Sequence, residues 1–156
     1  DELDLTCAGD ASSAYGVAAV VGKAFAVWRW ADTFADRARH INLAEAMAVE
    51  LGLLLILRQG LLPEPTAALP TILAVTGDNQ AVVSALAKGR SASEPVNAVL
   101  KTIFATCAEH RIELRLRHIP GVTNVLADRA SRGRPLPSDF TEVHIPVPRQ
   151  HAAIAR

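Results

Sequence analysis

LDLTCAGDASSAYGVAAVVGKAFAVWRW, residues 3–30, is the stretch that decides the fold. Residues 3–9 alternate apolar and polar side chains up to Asp10, as a strand buried on one face does. The small residues 11–14 make a turn into YGVAAVVG (15–22), and Val21, Gly22 and Lys23 form a tight hairpin into KAFAVWRW (23–30). Strands joined by turns this short lie side by side and run antiparallel. The sheet opens as a meander. Trp28 and Trp30 alternate along its third strand and are read as packing on one sheet face.

From Asn42 the period changes. LAEAMAVELGLLLIL (43–57) is apolar except at Glu45, Glu50 and Gly52, too long for a strand, and rich in Ala and Leu. It reads as a helix buried on more than one side, ended by Gly60, Pro63 and Pro65. TILAVTG (71–77) is a near-continuous apolar run suited to a sheet centre. NQAVVSALAKG (79–89) reads as a short helix closed by Gly89, and Ser93, Glu94 and Pro95 open another that runs to about Glu109. RIELRLRHI (111–119) alternates as a strand, its arginine face either solvated or turned to a substrate; residues 123–132 form a last helix. The order β-β-β-α-β-α-α-β-α predicts an α/β fold with a five-stranded mixed sheet, its first three strands antiparallel, flanked by helices. Pro135, Pro137, Pro146 and Pro148 mark residues 133–156 as an extended tail or linker behind a domain of residues 1–132.

The composition narrows the function. With 156 residues, 50% hydrophobic, the chain is one globular domain in size. Sixteen Lys+Arg balance sixteen Asp+Glu, which excludes a binder whose affinity for nucleic acid comes from bulk charge. Aromatic residues at 4% are too few for a base-stacking platform. Cys7 and Cys107 lack metal-ligand or disulfide-scaffold spacing and read as buried apolar residues of a reducing compartment. His40, His110, His144 and His151 lack mutual spacing for a metal. The apolar run 51–57 is too short for a membrane span and no secretory leader is visible, so the expectation is a cytoplasmic or nuclear protein without a membrane partner. The start at a strand, without Met, suggests a domain of a longer chain.

Four acids stand at the ends of predicted elements, each with an ordinary structural explanation. Asp10 can bond local backbone ahead of a Ser-rich turn. Glu45 can complete a capping arrangement with Asn42, Asp78 can cap the helix it precedes, and Asp128 can pair with Arg132 one turn on. Taken together they suggest more. If the first and fourth strands are parallel neighbours, Asp10 and Asp78 emerge at one sheet edge, the usual place for a site in an α/β fold. Glu45 lies in the first turn of the helix feeding the fourth strand, and the last helix can bring Asp128 back over that edge. Carboxylates crowded there repel, and a divalent cation relieves the repulsion. Oxygen donors alone select Mg²⁺ or Mn²⁺ over zinc.

DASSAYG, NLAEAMAVELGLL, VTGDNQAVVSAL and LRHIPGVTNVLADRASR resemble the ribonuclease H domain of reverse-transcribing elements, over about residues 3–132 and in the same order. The last segment, with His-Ile-Pro-Gly followed by Asn124, Asp128, Ser131 and Arg132, is the most specific. The resemblance implies a ribonuclease-H-like fold and an endonuclease that cuts the RNA strand of an RNA–DNA hybrid with two Mg²⁺ ions, or Mn²⁺. It implies metal-ligand roles for Asp10, Glu45, Asp78 and Asp128, a mobile-loop histidine at His118, and substrate contacts at Asn79 and Asn124. Backbone amides around Gly9–Ser13, with Ser12 and Ser13, join the expected substrate contacts. A covalently linked reverse transcriptase is the implied partner.

One feature departs from the family. Well-known cellular members often carry a basic protrusion between the middle helices, whereas LAKGRSASEPV supplies only Lys88 and Arg90 there. The isolated domain is therefore expected to bind hybrid weakly. Two other readings use the same fold: an inactive spacer module, against which all four acids stand, and a DNA-acting nuclease or transposase, whose acid set usually ends in Glu. A small-molecule α/β enzyme is disfavoured because no Gly-rich phosphate loop follows the first strand: GDASSAYG has neither GxGxxG nor GxxxxGK spacing.

Overall fold

The hairpin-linked strands β1 (Asp4–Ala11), β2 (Gly16–Val21) and β3 (Ala24–Arg29) form the expected antiparallel meander. The computed structural model describes residues 4–62, 69–77, 79–118 and 124–156. Helix α1 (Ile41–Arg58), entered through a 3₁₀ turn at Arg37–His40, leads towards β4 (Thr71–Gly77), which pairs parallel with β1. Helices α2 (Gln80–Lys88) and α3 (Glu94–His110) precede β5 (Ile112–His118), parallel to β4, and α4 (Val125–Ser131) follows. The sheet order is β5-β4-β1-β2-β3-β6. It has six strands where five were predicted, because the tail adds β6 (Thr141–Glu142) parallel to β3. Two residues flanked by prolines carry no strand signal of their own.

Helix α1 forms the centre of the core on one sheet face, touching β1, β2 and α3, while α4 lies against β1 and β2. Its apolar surface runs almost all round because it is covered almost all round: Met47, Leu51, Leu53, Leu55 and Ile56 are at most 1% exposed. The segment from Arg37 to Arg58 is long and apolar enough to cross a bilayer, yet its apolar window is mostly buried inside this fold. Gly52 is the close-approach point. A Cβ there would stand 2.1 Å from Cys7 Sγ, so a glycine that only weakens the helix by propensity is what lets α1 settle on β1. Cys7 is 1% exposed and Cys107 6%, and burial pushes their thiols up to about 12 and about 11. Both stay protonated and inert.

The tail lies along the β3 edge. Thr141 and Val143 donate N–H groups to Lys23 and Phe25 carbonyls at 2.8 Å, and Ala155 donates to Arg29 at 2.8 Å. Ile145 and Ile154 are buried, and the Trp28 indole donates to the Ile145 carbonyl at 2.9 Å. His151 reaches the core face of α1, its Nε2 2.6 Å from Glu50 Oε1, both side chains under 10% exposed. The prolines keep this segment extended, and its apolar residues cover an edge that would otherwise leave ladder groups unpaired.

Candidate active site

The acids gather where β1 ends. Along β1 the side chains alternate: Cys7 and Gly9 face α1, with a Cβ on Gly9 meeting Ala48 at 3.1 Å, so Asp10 faces α4. Asp10 is 5% exposed and lies close enough to Asp128 for the two carboxyls to act on each other. Glu45 comes from the other face of the sheet and accepts the Ala11 N–H at 3.2 Å. Helix α1 starts at Ile41 with His40 at its cap, so Glu45 stands one turn in, past the capping positions. Its side chain is committed to the end of β1.

Asp128 has two kinds of neighbour. Arg132 Nε donates to its Oδ1 at 2.9 Å, the surface pair anticipated from the spacing. That hydrogen bond is the chief reason the Asp128 carboxyl lies below the usual carboxylate range, with the charge of Arg132, the hydrogen bond with Asp10 and the charge of Arg134 acting the same way against desolvation. The helix is pinned from beneath: the Ser131 hydroxyl donates to the Asp128 carbonyl at 2.9 Å, and the Ser12 hydroxyl donates to the Ser131 carbonyl. The turn after β1 and the last helix are thereby locked together, which fixes Asp10 against Asp128.

Asp78 lies outside the described residues. The strand leading into it ends at Gly77 beside β1, and the cap of α2 is Asn79, whose Oδ1 accepts the Val82 N–H at 3.1 Å. Among the described residues, no three carboxylate, imidazole or thiol groups close on one point as a finished metal site. The donor set nevertheless suits a hard cation: oxygens only, two carboxyls close enough to act on each other, and a guanidinium drawn to both Asp128 and Asp10.

The other expected residues divide. Asn79 Nδ2 donates to Asn42 Oδ1 at 2.9 Å beside Glu45, where Gly9, Thr76 and Asn79 line a narrow crevice. Asn124 is 3% exposed, its Oδ1 accepting from the Thr76 hydroxyl at 3.4 Å, while its buried Nδ2 has no partner among the described residues. Ser12 is buried and spends its hydroxyl on Ser131, Tyr15 and Gly16, whereas Ser13 is exposed. Gly9 is buried in the β1–β2 ladder. Lys88 and Arg90 are exposed around an open hollow of about 520 Å³ at the α2–α3 turn. His118 ends β5 opposite Gly77, and residues 119–123 after it are outside the described part. Sequence reasoning did not find Thr76 or Arg134. Neither breaks a pattern, since a threonine in a buried strand and an arginine after a glycine are commonplace.

A meander of three strands, two parallel strands added beside β1, and a last helix returning over that strand make the ribonuclease H fold. Solved structures share it. The N-terminal RNase H domain of Rv2228c from Mycobacterium tuberculosis, solved as a fusion with maltose-binding protein, superposes with TM-score 0.56 at 18% identity, over 85% of this chain and 98% of that one. RNase H1 from the halophilic archaeon Halobacterium salinarum gives TM-score 0.57 at 17% identity, over 81% of this chain and 92% of its own. No family model matches the sequence, and no curated protein sequence does.

Proposed function

We propose that the chain is a ribonuclease H, an endonuclease that hydrolyses the RNA strand of RNA–DNA hybrids, carried beside a reverse transcriptase in a retroelement polyprotein and working in the cytoplasm or nucleus. The observation that carries the proposal is the convergence at the end of β1: Glu45 accepts the Ala11 N–H, and the Ser12–Ser131 hydrogen bond holds the helix of Asp128 against the same turn, beside Asp10. Carboxyls are brought together this way at a cost, and a site that uses cations supplies the reason. The retroelement setting is supported by the HIPGVTNVLADRASR segment alone.

Asp10, Glu45, Asp128 and, by the resemblance, Asp78 would hold two Mg²⁺ or Mn²⁺ ions. When bound, such ions activate a water and stabilise the leaving 3′-oxygen at the scissile phosphate, giving 5′-phosphate and 3′-hydroxyl ends. The chain's own residues set the geometry. Asp10 is the most rigid ligand, on a strand flanked by β2 and β4. Glu45 is oriented by Ala11, and Asp128 by the Ser131–Ser12 lock. His118, at the end of β5, takes the proton-handling role that the resemblance assigns it. Ser13, Lys88 and Arg90 are exposed for the hybrid backbone, and recognition is through groove shape and the 2′-hydroxyl.

The test is cleavage of a labelled RNA–DNA hybrid by the 156-residue chain with Mg²⁺, beside the same chain carrying Asp10→Asn. The expected result is RNA-strand cleavage that needs both the metal and Asp10. Cleavage undiminished in Asp10→Asn contradicts the assignment, and cleavage of duplex DNA in preference to hybrid favours a DNA-acting enzyme of the same fold.

A further inference from the structure

Arg132 stands where a cation belongs. It donates to Asp128 at 2.9 Å across one helical turn and feels the charge of Asp10 as well, so it offsets two neighbouring carboxyls rather than a single one. Asp10 is buried at 5% exposure, whereas the Arg132 and Asp128 side chains are 50% and 43% exposed. The guanidinium therefore covers a carboxyl pair whose other member is sunk in the fold. An ion pair this open to solvent is cheap to exchange. The guanidinium fork fits the two oxygens of a phosphodiester as well as it fits a carboxylate. Arg134, close enough for its charge to act on Asp128, makes the same rim positive on a chain with no net charge.

We infer that Arg132 is a built-in counter-ion: it holds Asp128 until a divalent cation takes the carboxylate, and then turns to a phosphodiester oxygen of the nucleic acid. The inference rests on the nuclease reading above. One side chain then serves two steps in order. It keeps the acid pair together before the cation arrives, and it tightens the nucleic acid once the cation is in place. Cation entry and strand capture become coupled, because the charge displaced by the first is what the second uses.

The experiment titrates Mn²⁺ into the full chain without nucleic acid, reading the bound ion by electron paramagnetic resonance, and measures KM and kcat on hybrid separately. Arg132→Gln removes the competing charge and is expected to bind Mn²⁺ about two- to fivefold more tightly, the worth of an exposed ion pair, while KM for hybrid rises by a similar factor. Arg132→Lys keeps the charge without the fork, so Mn²⁺ affinity returns towards that of the unaltered chain while KM stays raised. An Mn²⁺ affinity unchanged or weakened in Arg132→Gln overturns the inference and leaves the nuclease reading intact, and an unchanged KM overturns the phosphate role. Failure of the unaltered chain to bind Mn²⁺, or equal binding by Asp10→Asn, overturns the nuclease reading itself.

Discussion

Glu45 and Glu50 lie on the same helix and both are buried, at 8% and 3% exposure, yet their surroundings assign them opposite work. Glu50 meets an imidazole brought from 101 residues away, 2.6 Å off, with the Trp28 ring 5.7 Å from that of His151. It is enclosed and paired with His151. Glu45 accepts a backbone amide at the end of β1, beside Asp10 and near Asp128. A buried acid given its own base is a structural clasp, whereas acids gathered at one strand end are what the proposed cation site requires. Burial does not separate the two; the kind of neighbour does.

The largest expected effect breaks the cation side of this comparison. Asp10→Asn is expected to lower hybrid cleavage by about 10³-fold or more, the loss of several kcal/mol of transition-state stabilisation. The denaturation midpoint should stay equal or rise, since a carboxyl repulsion is removed. Loss of activity together with loss of folding would make Asp10 structural, like Glu50.

Deleting residues 133–156 breaks the clasp side. It uncovers Trp28 and the β3 edge, removes buried Ile145 and Ile154, and leaves Glu50 without His151. A loss of more than about 4 kcal/mol is expected, from two buried isoleucines and one broken buried pair. Urea denaturation followed by Trp fluorescence measures it, and a shortened chain as stable as the whole would make the tail a mere linker. The single change His151→Ala sharpens the same point at about 3 kcal/mol, because it strands a buried carboxylate. His151→Ala combined with Glu50→Leu should recover part of that loss in a double-mutant cycle.

The smallest effect concerns pH. Asp128 is held below its ordinary value of 3.8, first by the Arg132 hydrogen bond, so its contribution is present above that value and fades as pH falls through the lower folded one. The pair is half-exposed, so the acid-side slope is slight. Acid titration of stability should show it in the natural chain and lose it in Arg132→Gln.

Most of the fold was legible because it rests on local signals. The hairpin at Gly22, the length of the 43–57 run and the turn before each strand are properties of neighbouring residues, and β1 to β5 and α1 to α4 lie within a few residues of their sequence readings. The tail shows what local signals miss. Prolines announced extension, but its docking depends on Ile145, His151 and Ile154 meeting Trp28, Glu50 and Trp30, partners more than a hundred residues away. His151 looked idle because a single histidine without a spaced partner carries no pattern. The acids were singled out by their places near the ends of the expected elements, but the partners of each were not legible. Asn42 and Glu45 have capping spacing, yet the structure turns Asn42 to Asn79 and Glu45 to Ala11.

The central claim, that the acids at the end of β1 rather than the buried Glu50–His151 pair make the cation site, is tested most directly by crystals of the whole chain soaked in Mn²⁺. Anomalous scattering should peak beside the Asp10 and Asp128 carboxyls, with Glu45 on the same side. No peak there, or a peak at Glu50 and His151 instead, would contradict it.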